Sequence, residues 1–372
     1  MRYIRVLFAL FLFLTLAEAK NIRYAMSDMH TLSIKKSSLE LALSYRLLND
    51  TVDIFNFKKK ELSSIGKKFG SIGDLNGYDL KLRYGIRDNL QLNFNFSLTG
   101  LDYIGNTLTN KKYDFYLRYH LLEDSFAFFN SGISLDVGYK KDSMDNFYLR
   151  DTNGINDMIK RVLPGTDAKL LYSDGIHKID KNDPGPRTKG YYALFKGTYT
   201  PLKNDPYILM KDTYDNTYYI RALSGFYGDK YLFDYYIGYK KTTIKNTITT
   251  TDEIIRLAKG KGYDLYKVLD RSEKALFLGF NFSREFKDFI YEFNYEYDRY
   301  FRDSGLGYLN SNHIVRASIS YKWSKRVLVS LGGKIMYRQF NGEIPYLYNR
   351  YTQTTFDHKY GYMKFGFTYI FK

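Results

Sequence analysis

Cysteine is absent from this chain of 372 residues, so neither disulfides nor thiolate metal sites hold it together, and an oxidising compartment poses it no hazard. Proline is down to six residues and tryptophan to one. Beyond residue 20 no stretch approaches the ~18 consecutive apolar residues of a membrane-crossing helix. No nucleotide or nucleic-acid motif is present, and length alone fits one large unit or two ordinary domains. What the chain has instead is aromatic weight: 39 Tyr and 28 Phe, with 18% of residues aromatic. Abundant Tyr and Phe with little Pro favour strands over helices or disorder.

The N-terminus, "MRYIRVLFALFLFLTLAEAK", sets Arg2 and Arg5 before an apolar run from Val6 to Leu16, followed by Ala17-Glu18-Ala19 in small-x-small spacing. That pattern predicts a secretory signal peptide over residues 1–19, cut near Ala19. As an anchor the run falls short of the ~20 residues that span a bilayer. Its removal leaves 54 Lys and Arg against 39 Asp and Glu, a net charge of +15.

The rest of the chain alternates. In "LQLNFNFSLT", Leu90, Leu92, Phe94, Phe96 and Leu98 fall on one face and Gln91, Asn93, Asn95, Ser97 and Thr99 on the other. The preceding "YDLKLRYGI" sets Tyr78, Leu80, Leu82, Tyr84 and Ile86 against Asp79, Lys81 and Arg83, so the two form a hairpin of ~10-residue strands. "FIYEFNYEYDR" is stricter still, with Phe289, Tyr291, Phe293, Tyr295 and Tyr297 against Glu292, Asn294, Glu296 and Asp298. Soluble sandwiches alternate too, so the connections decide. Short links (87–89, 121–125, 228–230, 284–288, 324–326) take turns with long ones (49–76, 100–111, 142–187, 246–272, 301–311, 341–357). Short turns at one end and long loops at the other predict an all-β fold, a transmembrane antiparallel meander barrel with its apolar face outward.

The last strand, "GYMKFGFTYIFK", carries a resemblance. Lys364, Gly366, Tyr369 and Phe371 resemble the C-terminal assembly signal of Gram-negative outer-membrane β-barrels, although Lys372 departs from it by following the terminal aromatic. The resemblance implies residence in the outer membrane, recognition by the periplasmic barrel assembly machinery, and outer-membrane lipids and lipopolysaccharide as surroundings. The basic balance then fits attraction to lipid A phosphates. It identifies a superfamily and no particular member.

Twelve strands are legible, and the barrel occupies residues 37–372, with 20–36 as a periplasmic segment or small plug. Two more strands, Tyr191–Thr200 and Tyr207–Lys211 around "PLKNDP", bring the count to fourteen. Fourteen is favoured, because otherwise one loop runs to roughly 75 residues.

The inward set holds the cations Arg46, Lys81, Arg83, Arg118, Lys140, Arg221, Lys240, Arg316, Lys322, Lys334, Arg338 and Lys364, twelve in all. Eight anions oppose them: Glu40, Asp79, Asp114, Asp136, Asp234, Glu292, Glu296 and Asp298. The excess predicts a mild anion preference, unless the charges simply pair across strands and stiffen the wall. Two loop helices are expected, one from about Ile155 to Leu163 and one capped by Thr250 and Glu253 and stopped by Gly260. Each either folds into the barrel mouth or packs on loops outside it.

Chemistry finds little purchase. The five His show no catalytic spacing to Ser or Asp. "DTNGIND" places Gly154 fourth, where a calcium loop needs its glycine sixth. The expectation is therefore a non-enzymatic channel for small polar solutes, without cofactor, metal or nucleic-acid partner. A closed barrel displaying its loops as a surface adhesin, and a hydrophobic-solute transporter of the fatty-acid uptake type, are the alternatives.

Overall fold

The computed structural model of the protein describes residues 31, 34–48, 75–103, 106–125, 130–162, 165–176, 188–228, 230–301, 310–336 and 360–371. The expected signal peptide and Arg338 lie outside them.

The strands are β1 (Leu39–Leu48), β2 (Leu75–Arg87), β3 (Leu90–Tyr103), β4 (Asn106–Ser125), β5 (Asn130–Met144) and the short β6 (Phe147–Leu149). Helix α1 (Thr152–Val162) follows, then β7 (Lys169–Ser173), β8 (Gly190–Phe195) and β9 (Thr198–Pro201). The chain goes on through β10 (Ile208–Tyr227), β11 (Tyr231–Thr250), α2 (Asp252–Lys259) and β12 (Lys267–Val268). It ends in β13 (Arg271–Phe286), β14 (Phe289–Phe301), β15 (Ser311–Ser324), β16 (Val327–Met336) and β17 (Tyr360–Phe371).

Neighbours in the wall pair antiparallel in the order β1-β2-β3-β4-β5-β10-β11-β13-β14-β15-β16-β17, and β17 returns to β1. Leu43 of β1 stands between Leu80 of β2 and Phe367 of β17, so the sheet has no open edge at its closure. Among the described residues the closed wall therefore has twelve strands, not fourteen. The residues expected as an extra hairpin divide differently. Gly190–Phe195 and Thr198–Pro201 join β7 in a separate three-stranded sheet, and of the expected Tyr207–Lys211 strand, Ile208 to Lys211 form the start of β10. A register shift between Lys211 and Tyr214, with Asp212 at φ 55°, interrupts the alternation there and makes one long strand read as two.

Several links expected to be loops are strand. Residues 100–103 and 106–111 continue β3 and β4 as paired strand, and 121–125 complete β4. With β4, β10 and β11 at 20 residues each, these strands exceed the ~9–11 that a bilayer requires, so one side of the wall rises well beyond the membrane.

Alternation fixes what faces where. Val137, Ile237 and Leu278 on the exterior are 55%, 59% and 51% exposed, while lumen-side Asp136, Asp234 and Asn281 are 0% exposed. A soluble protein would reverse this. In hydrocarbon every strand amide has to pair within the protein, and a closed ladder satisfies that requirement while its apolar side chains meet lipid.

Both loop helices form. Asp151 begins α1: its carboxylate accepts from the Gly154 amide at 2.7 Å, so "DTNGIND" is a helix start. Thr251, one residue later than expected, caps α2 through the Ile254 amide. Glu253 instead accepts from the Lys203 amide at 3.0 Å.

A charge placed on the exterior at mid-strand should be costly in lipid. Leu278→Arg is expected to lose about 2–4 kcal/mol of stability in urea unfolding from phospholipid vesicles, against a much smaller loss for Leu278→Ala. An unchanged unfolding midpoint would place this face out of the membrane.

Candidate functional site

The lumen is built in three layers, and register sets each of them. Toward the short-turn end, Arg118, Asp136 and Arg221 are direct cross-strand partners on β4, β5 and β10. Arg118 grips Asp136 with two parallel bonds, Nε to Oδ1 at 2.7 Å and Nη2 to Oδ2 at 2.9 Å. Arg221 Nε donates to Oδ2 of the same carboxylate at 2.9 Å. The rings of Tyr116, Tyr219 and Tyr236 surround the Arg221 guanidinium at 5.6 to 5.9 Å. Two of those rings lie over glycines of the next strand: a Cβ on Gly138 would meet the Tyr219 ring at 2.3 Å, and one on Gly279 the Tyr236 hydroxyl at 2.5 Å.

The chain before β1 enters this layer. Thr31 donates to Asp234 through its amide and its hydroxyl, at 2.9 and 2.8 Å, and its carbonyl accepts from the Ser134 hydroxyl at 2.7 Å. The Ile34 amide donates to Gln91 at 3.0 Å. Gly85 allows the passage, since a Cβ there would stand 2.1 Å from the Lys35 carbonyl oxygen. Of the segment expected as a plug, Thr31 and Ile34 are thus buried against the inner wall, whereas Lys35 and Lys36 are exposed.

At the opposite end the inward positions turn apolar. Leu48, Leu75, Leu101, Leu108, Met144, Met210, Ile248, Ile314 and Met336, from nine different strands, form one buried cluster. Ile155 of α1, Ile254 of α2 and Leu170 of β7 join it. The apolar stripes of both helices therefore pack into the mouth of the barrel.

Between these layers lies a cavity of about 260 Å³. Eight cationic side chains line it: Arg46, Lys81, Lys112, Lys140, Arg221, Arg316, Lys334 and Lys364. Only Asp79, Asp114 and Glu292 oppose them among the lining residues. Asp79 is shared, with Arg46 Nε at 2.9 Å and Lys364 Nζ at 3.1 Å. Tyr219 donates to Asp114 at 3.0 Å, beside Lys140 at 3.7 Å.

The structure brings some of the expected lumen residues together and separates others. Lys81, Arg316, Lys334 and Glu292 line the cavity, as do Lys364 and Gly366. Arg316 bonds Glu296 at 3.2 Å, whereas Asp298 takes Lys240 at 2.9 Å, on the other side of its strand. Arg83 pairs with Glu40 at 3.2 Å, Lys322 with Glu285, and Glu292 accepts from Ser318 at 2.9 Å. Tyr369 and Phe371 sit with ring centroids 4.6 Å apart beyond the chamber.

Sequence reasoning missed the inward Tyr116 and Tyr219, whose signal was the inward glycine on a neighbouring strand. It also passed over Asp142 and Asp215, direct cross-strand partners each 1% exposed, and over Lys112 opposite Asp142. His120 and Ser134 are 2.9 Å apart across β4 and β5, a pairing that linear spacing does not reveal. The buried Ser134 hydroxyl donates to Thr31, so it is committed to a structural bond.

No family model and no curated protein matches the chain. Among solved structures, the Pseudomonas putida toluene transporter TodX aligns at 8% identity and TM-score 0.39, over 96% of this chain and 95% of that one. The KdgM porin in complex with disordered oligogalacturonate aligns at 9% identity and TM-score 0.36, over 90% and 99%. The Salmonella typhi outer membrane phospholipase aligns at 12% identity and TM-score 0.33, over 93% and 94%. Likeness at this level assigns no activity.

Removing the shared carboxylate would strand two buried guanidinium groups. Asp136→Asn is expected to cost about 3–5 kcal/mol, read as a lowered unfolding midpoint of the refolded barrel. Losing the carboxylate without a shift would mean that the cluster holds nothing together.

Closed around twelve antiparallel strands, apolar outside and charged within, the described residues form an all-β antiparallel meander barrel.

Proposed function

We propose that this barrel is a channel that passes small polar solutes across the outer membrane, with a preference for anions. The observation that carries the reading is the chamber, whose lining among the described residues holds eight cations and three carboxylates, with Arg221 and Arg316 also paired to Asp136 and Glu296. A wall of fixed positive charge lowers the barrier for the opposite sign. The solute meets first the apolar layer between α1, α2 and the strand ends, where an empty passage sheds water and conducts poorly. Displacing that layer opens the route, and the chamber then presents charged side chains, amides and Tyr hydroxyls in place of the solute's hydration.

The exterior supports the same placement. Lys111, Lys141, Lys241 and Lys274 are exposed, and Tyr113 and Tyr218 sit directly opposite Lys141 and Lys241. Rings and lysines side by side at the headgroup boundary suit an outer leaflet bearing phosphates. In the same reading residues 1–19 direct export, and the outward Tyr369 and Phe371 of β17 present the assembly signal to the periplasmic machinery.

One observation favours a second reading. The apolar layer draws residues from nine strands and both helices, as a permanently closed barrel displaying its loops would require. Planar-bilayer recording separates the two. Under the channel reading the wild type opens intermittently, its reversal potential in a KCl gradient shifts toward that of chloride, and Ile155→Asp with Ile254→Asp raises the open fraction. Silence of both proteins would support the closed barrel, and a shift toward potassium would remove the anion preference.

A further inference from the structure

The outward face of the wall carries a row of cations on the long-loop side. In the order β4-β5-β10-β11-β13-β14, the outward positions just above the apolar stretch of each strand are Lys111, Lys141, Asn216, Lys241, Lys274 and Arg299. Five of the six are basic, and those five are exposed. Register places them: Lys111 stands opposite Ser143, Lys141 between Tyr113 and Asn216, and Lys241 between Tyr218 and Lys274. Arg299 stands opposite Leu276. Over five strand pairs the row thus steps three times by two residues, always toward the short turns, as strand tilt requires of a row held at one height.

That height matches a membrane boundary. Lys241 lies ten positions along β11 from Tyr231, and at ~3.4 Å each with a tilt of ~45° these climb about 24 Å, close to the height of a lipid-facing apolar band. Beneath the row the outward side chains, Phe115, Val137, Ile237 and Leu278 among them, are apolar and exposed. No Asp or Glu occupies an outward position in the row or in the apolar stretches below it. Lys241 and Lys274 are direct cross-strand partners, an arrangement that is destabilising until an anion bridges it. Tyr139 and Tyr218 set their rings 5.0 Å apart beside them, amphipathic surfaces suited to a sugar at the boundary.

We propose that this face docks the lipid A headgroup of one lipopolysaccharide molecule, an acylated disaccharide with a phosphate at each end. Lys241 and Lys274 bracket one phosphate with charge-assisted hydrogen bonds, and Lys141 and Lys111 take the other. Strands ~4.8 Å apart set Lys141 about 10–15 Å from the Lys241–Lys274 pair, the span of a phosphorylated disaccharide. A phospholipid carries a single headgroup phosphate and reaches one of these groups at a time. The acyl chains lie along the apolar side chains below. The inference rests on the outer-membrane placement of the preceding reading and not on conduction.

Native mass spectrometry of the detergent-solubilised full chain tests it, with bisphosphorylated lipid A, monophosphoryl lipid A and phosphatidylglycerol as probes and EDTA present so that no divalent ion bridges. One bisphosphorylated lipid A per barrel is expected to stay bound, and the other two lipids to bind about tenfold more weakly or less. Lys241→Gln combined with Lys274→Gln should lose about tenfold or more of that binding. The pair is exposed and its removal relieves a like-charge contact, so the variant is expected to fold. Lys241→Arg with Lys274→Arg should keep most of the binding, and Lys325→Gln in a short turn should leave it unchanged. Equal retention of phosphatidylglycerol, or wild-type retention in the double glutamine variant, would overturn the site. Insertion into lipid vesicles separates the two failures. A chain that inserts but shows no preference for lipid A removes this inference and leaves the channel reading standing, whereas a chain that stays in the aqueous phase removes the outer-membrane placement and the site with it.

Discussion

An unpaired backbone amide in hydrocarbon costs several kcal/mol, and this constraint organises the rest of the molecule. No helix of the described residues is long and apolar enough to cross a membrane, and the exposed apolar side chains lie mostly on strands. Strands satisfy their amides only when the sheet closes, and the pairing of β1 with β17 achieves it. Once closed, each strand has to send alternate side chains to lipid and to the lumen. The aromatic-rich exterior and the charged interior are two results of the same two-residue period.

Filling the interior raises an opposing difficulty, because charges withdrawn from bulk water are costly unless paired. The lumen answers by sharing: Asp136 serves Arg118 and Arg221, and Asp79 serves Arg46 and Lys364. Sharing satisfies hydrogen bonds. Across β15, β16, β17 and β1, cations stand directly opposite one another on the lumen wall. Above it the inward residues become apolar, and the two loop helices find there the cover that their own apolar stripes need. The loop helices and the barrel mouth thus share one set of contacts.

The barrel itself was legible because alternation is local. "LQLNFNFSLT" and "FIYEFNYEYDR" each report two faces without reference to anything distant. The strand count was less so: β10 contains a bulge at Asp212, and a two-residue pattern broken at one point reads as two strands. Strand extension beyond the membrane also escaped, since Thr99 to Lys112 lacks the alternation that marks a lipid-facing wall. In the chamber the inward charges could be named from parity. Their partners could not, because register decides that Asp298 takes Lys240 and that Lys322 takes Glu285. The placement of Ile155 and Ile254 in the mouth depends on contacts between remote segments, to which no local pattern points.

The central claim is that lipid meets one face of this wall and water the other. Lacking native cysteine, the chain suits single-cysteine labelling with an environment-sensitive fluorophore in vesicles. The account predicts that a label at Val137→Cys is quenched by nitroxide carried on lipid chains and ignores aqueous iodide. A label at Ser318→Cys should show the reverse. Iodide quenching at Val137→Cys together with lipid quenching at Ser318→Cys would contradict it.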